Sequence, residues 1–492
     1  MRPPVFIFLS LAVASAQPAD LARQAQRARE LVLEGKAEQA IPIYAEIARA
    51  APKDAANLVN LAIAEFKAKR FRDSAEHAQA ALKLQPDLPG ANLFLGASYA
   101  ALGEHAKAVE PLERVLSRQP NDRNACAMLA EELLALERYD EAAGQFRKAS
   151  ELAPENPKAW YGLGRSYKAL SEAAYRRLEI TAPDSPYAMA LAADVFVQQR
   201  RYGDAFAGYR GALALAPGLH GIHGALAEVY QRTGHAEWAE IERGRERGVM
   251  PPDCRTDGMA CNLLAGRYQE VVEAAHTAPG PEKLYWASKA YLGLAHAAFT
   301  QVEQLPPSRE SHIHMAQTHE KLGEYREAAD EWREALQLAP GDFDAGKGLA
   351  WALYRNRDCE RALPVLTDLL KARPNSSELN FLYGANLLTL QQPEQAVSYL
   401  ETAVRLDPQF LPARAALGQA LLLVGRAKDA IPHLKAALAD DEDTGAHFQL
   451  LRAYQLTGQT DLAHQALVDY QRAREASGHA KRMTEAGGIT AP

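Results

Sequence analysis

Apolar residues recur along most of this chain at helical spacing, in phrases that each close on a proline. The closing prolines are Pro52, Pro86, Pro120 and Pro154, then Pro183, Pro217 and Pro251, then Pro306, Pro340, Pro374 and Pro408, and within each group the step is 34 residues. That is the length of a helix-turn-helix unit that stacks on its own copies. Within 89–122, Leu95-Gly96, Tyr99, Gly103, Ala108, Leu112, Val115 and Pro120 mark two helices around a glycine turn. In 309–342, Met315-Ala316, His319, Gly323, Tyr325, Ala328, Trp332, Ala335 and Pro340 take the same places. Small residues such as Gly96, Ala108, Ala316 and Ala328 let paired helices approach, and Leu112, Phe146, Tyr209 and Trp332 fill the gap to a neighbour. Proline then stops the second helix.

This pattern resembles the tetratricopeptide repeat. The resemblance covers about 21–478, with clear units at 21–54, 55–88, 89–122, 123–156, 186–219, 220–253, 309–342, 343–376, 377–410, 411–444 and 445–478, and a short one at 157–185. It implies an all-α fold, a right-handed superhelix of the α-α solenoid type. Three units depart from the pattern: Glu65 stands in the usual aromatic place, Arg243 in a large apolar one, and Glu442 where a closing proline is expected. Those units are expected to pack less tightly.

The 34-residue register breaks twice, and alike. Trp160 to Ile180 and Tyr285 to Leu305 carry helical apolar spacing with neither proline nor turn glycine between their halves, so each predicts one continuous helix roughly 30 Å long. An ordinary repeat follows each, as in an internal duplication. The segment 250–281 is the expected joint between two solenoid halves, with a shrunken helix pair, Met259 to Leu264 and Val271 to Ala275, around Gly266-Arg267-Tyr268. The resulting layout is a leader at 1–16, a four-unit array at 17–156, a long helix plus repeats at 157–253, an irregular joint with the second long helix at 254–308, a second array at 309–478, and a polar, flexible tail at 479–492.

Arg2, the uncharged run from Val5 to Val13, and Ala14-Ser15-Ala16 before Gln17 read as a secretory signal cleaved near Ala16. The run is too short to span a bilayer, and no later stretch is long and apolar enough. The expected product is an exported protein of the bacterial type, periplasmic or extracellular, with no transmembrane segment. Of the 492 residues, 62 are acidic and 55 basic, giving a formal charge of −7. That balance argues against a nucleic-acid partner.

Four cysteines in an exported chain raise the question of pairing. Cys126 and Cys359 lie in helical places of distant units and are expected as free buried thiols. Cys254 and Cys261, seven apart in the joint, leave three readings open: unpaired thiols, which the spacing favours, a disulfide closing a short loop, and a metal site with His276. His312 and His319 share a helix face but stand about 10 Å apart along its axis, too far to share an ion, and His314 points elsewhere. No phosphate loop, zinc-protease helix, nucleophile elbow or dinucleotide fingerprint occurs, and the acidic run Asp440 to Asp443 lacks the spacing of a calcium loop. Neither catalysis, cofactor nor metal is expected.

The remaining candidate is the surface. The resemblance implies that the first helix of each unit lines a concave groove, with binding residues at its second, fifth, ninth, twelfth and thirteenth positions. Those places hold Lys158, Tyr161, Arg165 and Lys168 in one unit, then Asp194 and Glu228, and beyond the joint Gln317, Lys347, Trp351, Tyr354, Arg355 and Phe381. Trp351, Tyr354 and Phe381, flanked by Lys347 and Arg355, have the composition of a peptide anchor, unless the rings pack between adjacent units. The paired lysines and asparagines of the family's carboxylate-clamp branch are absent: of Asn57, Asn60 and Lys67, only Lys67 falls in a groove position. The expected function is an exported, non-catalytic scaffold binding proteins or peptides. The alternatives are an adaptor subunit of a cell-envelope assembly or polymer-export complex, and an enzyme built on 250–308.

Overall fold

A computed structural model describes residues 18–249, 252–255, 257–277, 280–441, 444–485 and 489–492. The leader, Glu442 and Gly487-Gly488 lie outside the described residues. Among the described residues every regular element is helical, with 26 α-helices and one 3-10 turn, Leu438–Asp440. The chain divides into two compact units, 1–170 and 171–492, whose boundary falls inside the Pro157–Thr181 helix.

In the first unit, hairpins follow one another in chain order: Pro18–Leu33 with Ala37–Ala50, Ala55–Lys67 with Phe71–Leu84, Pro89–Ala101 with His105–Arg118, and Arg123–Ala135 with Tyr139–Leu152, each packed on the next. Aspartates open several first helices. Asp122 Oδ1, for example, accepts the Asn124 and Ala125 N–H groups at 2.9 and 3.0 Å, satisfying donors that have no partner within the helix. Turns between paired helices use a left-handed residue, Gly103 (φ 72°) in one unit. Units without that glycine hold the same conformation with Lys69, Glu137, Arg357 or Gln391, at φ 58–61°. Packing of the two helices therefore dictates the turn, against a backbone cost of about 1 kcal/mol at each such residue.

Large residues sit against backbone that carries no side chain. A Cβ on Gly162 would stand 2.3 Å from the Phe146 ring, and one on Gly348 would stand 2.4 Å from the Trp332 ring. Phe146 is fully buried and Trp332 nearly so. Ring and glycine are thus one packing device, found in both units of the chain, and Tyr268 against Gly293 repeats it in the second.

Glu65 does not loosen its repeat as expected. It is buried, and His77 Nδ1 donates to its Oε2 at 2.8 Å. His105 serves buried Glu132 in the same way at 2.7 Å, so a histidine partner replaces apolar contact where a carboxylate enters the core. The bond to Glu65 raises the His77 pKa above its ordinary value, against the opposing effect of burial. A raised histidine pKa contributes stability that is complete below about pH 6.5 and is lost as pH rises through the folded value. His77→Gln should therefore reduce the fall in melting temperature between pH 6 and pH 8 relative to the parent chain. An equal fall in both proteins would refute this assignment.

The second unit departs from serial order. The 254–308 segment, expected as an irregular joint with the second long helix, lies inside this unit, and that helix, Glu282–Gln304, packs back onto Pro186–Gln198. Ser171 Oγ donates to the Ser288 carbonyl at 2.9 Å, and Ser288 Oγ returns a bond to the Ser171 carbonyl at 3.2 Å. The short pair Gly258–Leu264 and Tyr268–Thr277 precedes this helix. Cys254 and Cys261 are joined as a disulfide, with Cα atoms 5.6 Å apart, where spacing alone favoured unpaired thiols. With both sulfurs bonded, neither is left to ligate a metal with His276. Cys126 and Cys359 are free and buried.

From Arg309 onward the hairpins stack in order again, as far as a third long helix, Thr460–Glu485. That helix extends past residue 478, where a flexible tail was expected, and packs on Tyr202–Leu215. Ile489 is buried, and the Tyr230 hydroxyl donates to the Thr490 carbonyl at 2.6 Å. The physical reason is local: Tyr230 is fully buried, its hydroxyl needs an acceptor, and the tail supplies one beside the apolar Ile489.

Candidate functional site

The groove candidates fall in three different settings. In the first unit, Lys158 and Arg165 both approach Glu131, at 4.0 and 3.6 Å, and the Arg165 guanidinium lies over the Tyr161 ring. Tyr161 is buried and Lys168 half-buried on the same helix. Lys158 and Arg165 thus already share a carboxylate, and Arg165 also faces a ring.

In the 186–219 repeat the groove is filled by the chain itself. Asp194, at the ninth position, accepts a hydrogen bond from the Tyr209 hydroxyl at 2.7 Å and pairs with Lys289 of the Glu282–Gln304 helix. Tyr187, at the second position, packs its ring 5.5 Å from that of Tyr285 on the same helix. Burial pushes the Tyr285 hydroxyl up to about 12 and raises that of Tyr209 further. Burial opposes the Lys289 charge, but Asp194 and Tyr285 together outweigh it and the ammonium is held above its ordinary pKa. Asp194 is therefore a structural residue. Glu228 pairs with Arg232 at 2.6 Å one turn along its own helix, and Gln317 is exposed on Arg309–Leu322.

Beyond the long helix the groove is open. Trp351 and Tyr354 lie on Phe343–Arg355, Phe381 on Ser377–Thr389, and Phe410 just before Leu411–Leu423. Their rings form a ladder, Trp351 to Tyr354 at 5.8 Å, Tyr354 to Phe381 at 6.3 Å and Phe381 to Phe410 at 5.1 Å, with edges meeting faces along most of it. Arg355 stacks on Tyr325 at 4.5 Å and donates to its hydroxyl, and Lys347 holds Glu378 at 3.0 Å.

The ladder does both things that the sequence left as alternatives. It packs successive repeats together, with Phe381 buried, and it floors a cavity of about 590 Å³ at Trp351, Tyr354, Phe381 and Phe410. A second cavity of about 790 Å³ shares Tyr354, Arg355, Phe381 and Pro412 with the first and continues past Ala415 and Gln419 to Gln449. Ala385, Leu388, Ala415, Gln419 and Gln449 were not picked out from the sequence, although they occupy the same fifth, ninth and twelfth positions. Small and aliphatic residues there make the hollow, and a search for charged and aromatic side chains passes over them.

The histidine group shows separate partners. His312 meets Glu331 at 2.7 Å and His319 meets Glu324 at 2.8 Å, whereas His314 stacks on Phe299 at 4.3 Å and its pKa is lowered by burial.

A family model described as tetratricopeptide repeat matches residues 283–438, and a second with the same description matches 25–89, 59–123 and 127–171. The chain belongs to the tetratricopeptide repeat family. Its similarity to a peroxisomal targeting signal receptor of Candida albicans is 29% identity over 143 residues, 28% of this chain and 24% of the receptor. It is also similar to anaphase-promoting complex subunit 7 of Arabidopsis thaliana, at 29% over 133 residues, covering 26% of this chain and 24% of that subunit. The chain thus spans about a quarter of the length of these two curated relatives. Among solved structures, YrrB, a TPR protein with an unusual peptide-binding site, is 23% identical with a TM-score of 0.31, over 37% of this chain and 97% of that one. Yeast Tom70 is 16% identical with a TM-score of 0.31, over 88% of this chain and 95% of that one. Among the described residues, no helix of this tetratricopeptide repeat protein is long and apolar enough to cross a membrane.

Proposed function

We propose that this protein is an exported, non-catalytic scaffold that binds a segment of a partner protein in the groove of repeats 343–478. The observation that carries the reading is the continuous hollow from Trp351 to Gln449, floored by four aromatic rings and walled by small residues. Aromatic anchors in a concave, partly desolvated site are where binding energy concentrates. Curated relatives that the chain partly matches include a targeting signal receptor and a subunit of a multiprotein complex, which supports a binding role.

Export is supported by the charged, apolar and small-residue order of residues 1–16 and by the Cys254–Cys261 disulfide, since such bonds persist in oxidising compartments. Periplasmic or extracellular chain should begin near Gln17 by mass spectrometry.

Ala415 is partly exposed at the cavity wall, so Ala415→Arg should fill the groove while leaving the buried packing intact. In a crosslinking pull-down from native cell envelopes, the partner captured by the parent chain should be lost from this variant, with helical content unchanged. Equal capture by both proteins would remove the groove from the account.

A further inference from the structure

We infer that the open groove selects a peptide segment carrying an aromatic or aliphatic side chain next to lysine or arginine. The inference rests on the groove being the binding surface and adds the chemical class of its occupant. Carboxylates outnumber cations along the described lining: Glu378, Asp407, Asp440 and Asp441 face Arg355.

The existing bonds show which of these charges remain for a ligand. Arg355 is stacked on Tyr325 and bonded to its hydroxyl, so it forms wall. Lys347 engages Glu378, and Asp441 accepts the N–H groups of Ala446 and His447 at 2.9 and 2.8 Å together with the His447 imidazole. Asp407 and Asp440 are exposed, one in each cavity. Asp407 spends one oxygen on the Gln409 N–H, at 3.0 Å. Across the larger cavity, Gln449 Oε1 is buried and accepts no hydrogen bond among the described residues.

The charged groups left over on the groove surface, Asp407 and Asp440, are thus acceptors, as is buried Gln449 Oε1, and an occupant that answers them must bring donors. Lysine and arginine carry only donors. Each cavity then offers an apolar floor for one side chain and a carboxylate within the same wall for a cation. An acidic segment would meet the uncompensated carboxylates of Asp407 and Asp440, with only Arg355, held against Tyr325, among the lining cations to answer it, and like-charge juxtaposition of this kind disfavours a partner.

The test is selection of random short peptides, displayed on phage, against the immobilised full-length protein, followed by titration of one selected synthetic peptide. Enriched peptides should combine Phe, Trp, Leu or Ile with Lys or Arg. Binding should weaken with added salt. Asp407→Asn/Asp440→Asn, which keeps the acceptor that serves Gln409, should weaken the selected peptide about tenfold, as expected for loss of facing charge pairs. Ala415→Arg should abolish binding. Enrichment of acidic peptides, or affinity unchanged in the double variant, overturns the basic class; if that binding is still abolished by Ala415→Arg, the groove itself stands. No enrichment at all, or binding indifferent to Ala415→Arg, overturns the groove and the peptide class together.

Discussion

Asp194→Ala should destabilise the protein by about 3 kcal/mol, the low end of what breaking a buried ion pair costs, because both side chains keep some solvent contact. Removing the carboxylate leaves the Lys289 ammonium among Tyr209, Tyr285 and the backs of two helices, with no counter-charge, and deprives the Tyr209 hydroxyl of its acceptor. Had Asp194 been a free groove residue, as its position in the repeat suggests, the substitution would be nearly silent. Glu228→Ala supplies the contrast: its pair with Arg232 is exposed, and such pairs contribute about 0.2–1 kcal/mol. Urea denaturation of the full chain reads both. Lys289→Met placed on Asp194→Ala should recover part of the loss by removing the stranded charge. A silent Asp194→Ala would mean that the Glu282–Gln304 helix does not fill this part of the groove.

Phe146→Ala should cost about 3–5 kcal/mol, the range for emptying a fully buried aromatic site. The opposite error, Gly162→Ala, should cost about 1–3 kcal/mol, because the added methyl stands 2.3 Å from ring carbons that have nowhere to move. The two changes act on one contact and should not add. Phe146→Leu combined with Gly162→Ala should be more stable than the sum of the single losses predicts, since the smaller side chain leaves room for the methyl. Thermal or urea unfolding of the full chain measures this, and strict additivity would show that ring and glycine do not meet. Trp332 and Gly348 form the same contact in the second unit, so the same cycle can be repeated there.

The helical hairpins were legible because most carry their own instructions: a proline stop, often a glycine turn, and small and large residues at fixed places. The open end of the groove was legible for a related reason, since Trp351, Tyr354 and Phe381 are large residues at positions that face it. What escaped the sequence depends on residues far apart. Asp194 is claimed by Lys289, 95 positions later, and Tyr230 by Thr490, 260 positions later. No periodicity within a repeat encodes which distant segment will cover it. Glu65 misled in a different way: a carboxylate in an aromatic place signals loose packing unless His77, twelve residues on, is noticed as its partner. Turn glycine is one route to the hairpin among others, because Glu137 and Gln391 adopt the same left-handed conformation under the pull of the helices they join.

The most direct measurement is photo-crosslinking in the native cell envelope, with benzoylphenylalanine placed in turn at Ala415 in the open groove, at Glu228 on the middle repeats, and at Lys371 on the outer face of Cys359–Ala372. The account predicts a discrete partner adduct from position 415 and none from 228 or 371. Adducts of equal strength from 371, or from 228 with none from 415, would contradict it.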